Sequence, residues 1–169
     1  IYFANGAWKD RSFPFNEIEN FSNFYYQNPF VYWFNHYHEA NYNGPSVNVK
    51  DNALVVGGGL ASIDVCKIIQ LELVRQKVES KIEGFDIVEM EHKGISKYLE
   101  MHDMDYNTLN IHGATLVYRR DIENMPLTTI PDNVDVEMVV KRKLARRKIL
   151  QNMQDKFLFK VAECTQPTG

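Results

Sequence analysis

Cysteine is nearly absent from the chain. Only Cys66 and Cys164 occur among 169 residues, far apart and without a CxxC pair. That excludes a dithiol redox motif and a cysteine-built metal site, and it fits a reducing, cytoplasmic compartment. Long apolar runs are missing as well. No stretch approaches the length of a membrane span and no signal peptide is visible, so no membrane partner is expected. A large charge of one sign is also lacking: 19 basic residues face 22 acidic ones, for a net charge of -3. An initial Met is absent too, and Ile1-Tyr2-Phe3-Ala4-Asn5-Gly6 reads as a strand entered midway. The chain is therefore expected to be a piece of a longer protein. What is present is a 44% apolar, 24% charged composition, that of a globular chain able to bury a core.

The stretch from Asn52 to Asp64 organises the rest. Ala53 to Val56 are unbroken apolar residues, as in a parallel strand covered on both faces. Gly57, Gly58 and Gly59 follow at once, and a helical pattern begins at Leu60. Strand, glycine turn and helix in that order form the context in which glycines allow a tight turn and a close backbone approach to a pyrophosphate. The pyrophosphate would lie on backbone N–H groups around Gly59, Leu60 and Ala61, at the positive end of the helix. Ser62 stands where the fingerprint has Gly or Ala. The alternative is a purely structural turn.

Residues 1–50 form an aromatic-rich arm. A helix is expected from Pro29 to Glu39, with Phe30, Trp33, Phe34 and Tyr37 along one packing face. His36 and His38, two residues apart, point in different directions on a helix, so no metal site is assigned with Glu39. The helix after the glycines should run from Leu60 to about Val78, with Lys67, Gln70, Arg75 and Gln76 on its polar side and Cys66 packed inside. Residues 79–113 read as an insertion holding a strand at Phe85–Met90 and a helix at Ile95–Met104. The next strand is Ala114–Tyr118.

Arg119 and Arg120 follow that strand directly. An acidic residue at this place would hydrogen-bond the ribose 2′-hydroxyl of NAD; arginine instead accommodates the 2′-phosphate of NADP. The alternative is a pair of surface arginines. A long helix should run from a cap at Asp132-Asn133 to about Met153. It contains the basic run Lys141–Lys148, read as the solvated face of an amphipathic helix in which Val136, Val140 and Leu144 recur at helical spacing. The alternative is that this run contacts nucleic acid, but no nucleic acid partner is expected. Phe157–Val161 reads as a third strand.

Two motifs in order, Gly57-Gly58-Gly59-Leu60-Ala61-Ser62-Ile63-Asp64 and Tyr118-Arg119-Arg120-Asp121-Ile122-Glu123-Asn124-Met125-Pro126, resemble the NADPH-binding domain of the glutamate synthase small-subunit family, a branch of the FAD-dependent pyridine nucleotide oxidoreductases. Gly6-Ala7-Trp8-Lys9-Asp10-Arg11 is similar to that family's crossover between its FAD and NADPH domains. Leu60 and Ser62 depart from the family pattern, as do the long arm and the insertion, so glutamate synthesis itself is not implied.

The resemblance implies an α/β fold: an incomplete Rossmann-like three-layer domain with a parallel central sheet over residues 51–169, preceded by the arm. It implies NADP(H) held by Gly57, Gly58, Gly59, Leu60, Ala61, Ser62, Arg119 and Arg120, with no catalytic side chain and no metal. FAD would be bound mainly by a flanking domain, and hydride would pass from nicotinamide to flavin. The rival expectation is an interaction domain with a degenerate glycine turn that meets a partner subunit.

Overall fold

Parallel strands cannot be joined by tight turns, so each pairing in this chain is spanned by helices. The computed structural model describes Glu17 and residues 21–166. The expected strand at Ile1–Ala4 and the crossover at Gly6–Arg11 lie outside the described residues. The chain divides into two compact units, one up to residue 48 and one from 49 to 168. In the first, helix α1 spans Gln27–His36 and buries Phe30 and Trp33. Trp33 stacks on Tyr37 at 5.0 Å between ring centroids. His36 Nδ1 lies 2.8 Å from Glu39 Oε1, and no cluster of metal-ligating side chains occurs among the described residues.

The second unit holds the sheet. Strands β1 (Ala53–Val56), β2 (Ala114–Val117) and β3 (Lys160–Ala162) are all parallel, in the order β1-β2-β3. Helices α2 (Leu60–Val78), α3 (Ile87–Lys93) and α4 (Ile95–Glu100) connect β1 to β2, and α5 (Val136–Phe157) connects β2 to β3. This is an α/β arrangement. Helix α2 packs on β1 and β2, α5 packs on α2, and α3 and α4 join the same helical side. No described helix is long and apolar enough to cross a membrane.

The register explains which apolar residues are covered. Val55 pairs with Leu116 on one face, and both are buried; Leu54 and Val56, on the other face, are 71% and 49% exposed. The expectation of a strand covered on both faces is therefore corrected. Helices cover one side of β1, and the described residues supply two layers there rather than three.

Several local expectations change for physical reasons. Phe85–Met90 alternates like a strand, but Asp86 Oδ1 accepts from the N–H groups of Val88 and Glu89 and so starts helix α3. The helix expected to Met104 stops at Glu100. The cap of α5 is Asp135, whose Oδ1 accepts from Met138 N–H at 2.7 Å, and not Asp132-Asn133. Helix α5 runs to Phe157, which shortens the third strand. Gln70, expected on a polar face, is fully buried and donates to the carbonyl of Leu158, tying α2 to the end of α5.

Asp51 joins the entrances of the first two strands. Its carboxylate accepts from His112 N–H at 3.0 Å and Gly113 N–H at 2.7 Å, and lies 3.0 Å from His112 Nδ1. Gly113 has φ +80° and would press a Cβ against the Gln70 amide, so both conformation and space call for glycine. Burial works to raise the Asp51 carboxyl, but the N–H groups of His112 and Gly113 outweigh it and hold it well below the usual carboxylate range. A depressed folded-state pKa contributes stability above the unfolded carboxylate range and loses it as pH falls through and below that range. Asp51→Ala should destabilise by about 1–2 kcal/mol at neutral pH, allowing for the solvent exposure of the pair. In urea unfolding the gap between wild type and variant should narrow below about pH 4.

Candidate functional site

The carboxyl ends of β1 and β2 point the same way, because the strands are parallel and Val56 lies opposite Val117. Whatever follows the two strands must meet at one edge. The glycine turn follows β1, and Tyr118-Arg119-Arg120 follows β2. The ladder extends one step further, with Gly57 N–H donating to the Val117 carbonyl at 3.1 Å. Two segments 60 residues apart in sequence thus become neighbours.

None of the three glycines has a positive φ, so the turn does not use the left-handed conformation. The reason for glycine differs at each position. A Cβ on Gly57 would lie 2.0 Å from Ser62 Oγ, and a Cβ on Gly58 would lie 2.2 Å from Cε2 of Tyr118. These two are small because other parts of the chain come close. Gly59 is different: a Cβ there meets nothing within 4 Å, and its backbone, φ −90° and ψ 174°, suits any residue. The protein itself does not require glycine at 59, so the open side of that residue faces free space.

Gly59 is also the N-cap of α2, and no side chain caps that helix. Its carbonyl takes the first helical bonds, from Ser62 N–H at 3.1 Å and Ile63 N–H at 3.4 Å. The N–H groups of Leu60 and Ala61 precede that point and belong to the first turn, which lacks acceptors of its own. Together with the positive end of a 19-residue helix they can receive an anionic group. Leu60 is 54% exposed beside them. Ser62 Oγ lies close against Gly57.

Arg119 and Arg120 are both exposed, and neither guanidinium forms a hydrogen bond or ion pair among the described residues. The backbone on either side of Arg119 is held. Tyr118 N–H donates to Ala162 O, Thr165 N–H to Tyr118 O and Cys164 N–H to Arg120 O, at 3.0, 3.0 and 3.2 Å. Ile122 N–H donates to the Glu163 carboxylate at 3.0 Å. The Tyr118 ring is buried against Gly58 and its hydroxyl donates to Asn124 O at 2.9 Å. Cys164 donates its thiol to Asp121 Oδ1 at 3.3 Å, and that carboxylate raises the thiol pKa.

Sequence reasoning grouped Lys141–Lys148 as one solvated face; the structure separates them. Arg146 is only 9% exposed and its guanidinium donates to Thr128 O at 3.2 and 2.6 Å and to Glu123 O at 2.9 Å. Arg147 and Lys143 reach the Glu123 carboxylate at 3.0 and 3.8 Å. These three residues anchor the loop after the arginine pair. Lys141, Arg142 and Lys148 are exposed. Val136, Val140 and Leu144, the apolar residues that recur at helical spacing, are 80%, 51% and 61% exposed; the covered side carries Arg146, Leu150 and Phe157.

A groove of about 300 Å³ lies among the helices, bordered by Lys67, Glu91, His92, Met153, Lys156 and Phe157. Its lysine at 67 is paired with Glu91 at 2.9 Å and Asp64 at 3.4 Å, so it offers no spare charge. The groove belongs to the helical layer and not to the strand ends. The chain matches no protein-family model, no curated protein and no solved structure with which it was compared.

Proposed function

We propose that residues 49–166 form a Rossmann-like NADP(H)-binding domain of a larger FAD-dependent oxidoreductase. The single observation that supports this reading most is the convergence, at one sheet edge, of an uncapped helix start at Gly59 with two guanidiniums, at Arg119 and Arg120, that have no partner among the described residues. A dinucleotide carrying a 2′-phosphate has negative charge at two places, the pyrophosphate and the ribose phosphate. The turn offers backbone N–H donors and a helix dipole to the first, and the arginine pair offers planar, permanently charged donors to the second. The resemblance in the paired motifs points the same way.

In this reading Gly57 and Gly58 let the turn lie close to Ser62 and Tyr118, and Gly59 leaves room for the pyrophosphate. Leu60 and Ala61 donate their N–H groups, Ser62 supports the turn, and Arg119 and Arg120 hold the 2′-phosphate. When bound, the nicotinamide supplies hydride to a flavin held by flanking sequence. The work of this domain is to bind, orient and discriminate the nucleotide, and no side chain here acts on the hydride itself. The proposed setting is cytoplasmic.

Replacing both arginines tests the reading. The Arg119→Ala/Arg120→Ala variant should bind NADPH roughly 100-fold more weakly than wild type while NADH affinity changes by less than about threefold, since two charge-assisted contacts are lost only with the phosphorylated nucleotide. Titration calorimetry of the full-length protein with each nucleotide measures both. Equal losses would remove the arginines from the site.

The second reading, an interaction domain that meets a partner subunit, is favoured by the exposed row Val136, Val140 and Leu144, which recurs every four residues on one side of α5. Failure of the full-length protein to bind any nicotinamide nucleotide would favour it.

A further inference from the structure

We infer that Arg146 is a positioning residue for the Arg119–Arg120 pair and thereby sets the preference for a nucleotide bearing a 2′-phosphate. This rests on the reading in which that pair holds the phosphate. The geometry is a clamp on the loop between β2 and α5. Arg146 sits inside α5, one of only three polar or charged side chains buried among the described residues. Among the described residues it has no carboxylate partner; its three hydrogen bonds all go to backbone carbonyls, at Glu123 and Thr128. A buried guanidinium used this way fixes the backbone, because each carbonyl it releases would be left without a donor. Tyr118 adds a third point, donating to Asn124 O from a ring wedged against Gly58. Segment 118–128 is thus held at Tyr118, Arg120, Ile122, Glu123, Asn124 and Thr128.

Free guanidiniums on a fixed backbone lose only side-chain freedom when they close on a phosphate; on a loose loop they lose backbone freedom too. Arg146 therefore acts at a distance on the 2′-phosphate contact and leaves the pyrophosphate contact at Gly59 alone. A residue that merely supported the fold would weaken both nucleotides together.

The experiment compares Kd for NADPH and NADH, by titration calorimetry on the full-length protein, in wild type, Arg146→Met, Arg146→Lys and Tyr118→Phe. Arg146→Met keeps the aliphatic stem and removes the donors. It should lower the NADPH-over-NADH preference roughly tenfold, with NADH affinity shifting less than about twofold. Arg146→Lys, which can reach one carbonyl, should recover part of the preference. Tyr118→Phe keeps the ring on Gly58 and should lower the preference by about threefold. Should Arg146→Met fail to fold, Tyr118→Phe and Arg146→Lys decide. An unchanged preference in these variants, or equal losses for both nucleotides, overturns the positioning role, while selective loss in Arg119→Ala/Arg120→Ala leaves the nucleotide reading standing. If the double arginine variant keeps the wild-type preference, the reading falls and the positioning role falls with it.

Discussion

Gly59→Asp is expected to make the protein more stable and to abolish nucleotide binding. The two effects have opposite signs because they draw on the same N–H groups. An Asp at the N-cap accepts from the second or third N–H of the helix and places negative charge at its positive end. At Gly59 nothing blocks it: the backbone is already extended, the position lacks a capping side chain, and a Cβ meets no atom within 4 Å. The gain should be a few tenths to about 1 kcal/mol. The same carboxylate would occupy the donors proposed to hold the pyrophosphate and repel it, so affinity for NADPH and NADH alike should fall by at least about 100-fold. Thermal melting and titration calorimetry on one preparation read both. A more stable protein that still binds either nucleotide would place the pyrophosphate elsewhere.

Gly58→Ala should have the contrary profile and destabilise the fold. The added methyl would lie 2.2, 2.5 and 3.0 Å from Cε2, Cδ2 and Cζ of Tyr118. The ring cannot swing aside freely, since it is 8% exposed and tethered by its hydroxyl to Asn124 O. Forcing a methylene into a filled site costs about 1–3 kcal/mol. Tyr118→Ala should cost about 3–5 kcal/mol by leaving a cavity. The double variant should be less destabilised than the sum by about 1–2 kcal/mol, because the shortened side chain makes room for the new methyl. Urea denaturation of the four proteins closes the cycle. Strict additivity would mean that the turn and the ring do not share that space. Gly59→Ala, by contrast, should leave stability within about 0.5 kcal/mol of wild type.

Much of the framework could be read from the chain itself. The apolar run at Ala53–Val56, the glycine turn and the helix Leu60–Val78 stand where local patterning puts them, because a strand, an abrupt turn and a 3.6-residue period are properties of short stretches. The strand at Ala114–Val117 and the exposed pair after it were legible for the same reason. Residues 85–90 misled because Asp86 competes for the backbone: one carboxylate oxygen takes two N–H groups and turns an alternating pattern into a helix start, while Gly94, at φ +90°, separates α3 from α4.

Packing decided the rest. Helical period identified α5 but gave no hint that its row of Val136, Val140 and Leu144 would be left open while Arg146 turned inward. An arginine in a basic run looks solvated until a loop from elsewhere brings carbonyls to it, here those of Glu123 and Thr128, 23 and 18 residues away. Gln70 is the same case, buried because the αL turn at Leu158 presents a carbonyl to it. The sequence determined which stretches become strand, turn and helix, and which residues carry charge after each strand. Tertiary structure alone decided that two of the three glycines are small for the sake of Ser62 and Tyr118 and the third for open space. It also decided that the arginine pair rests on a loop clamped by Arg146, because such contacts join residues distant in the chain and no local pattern records them.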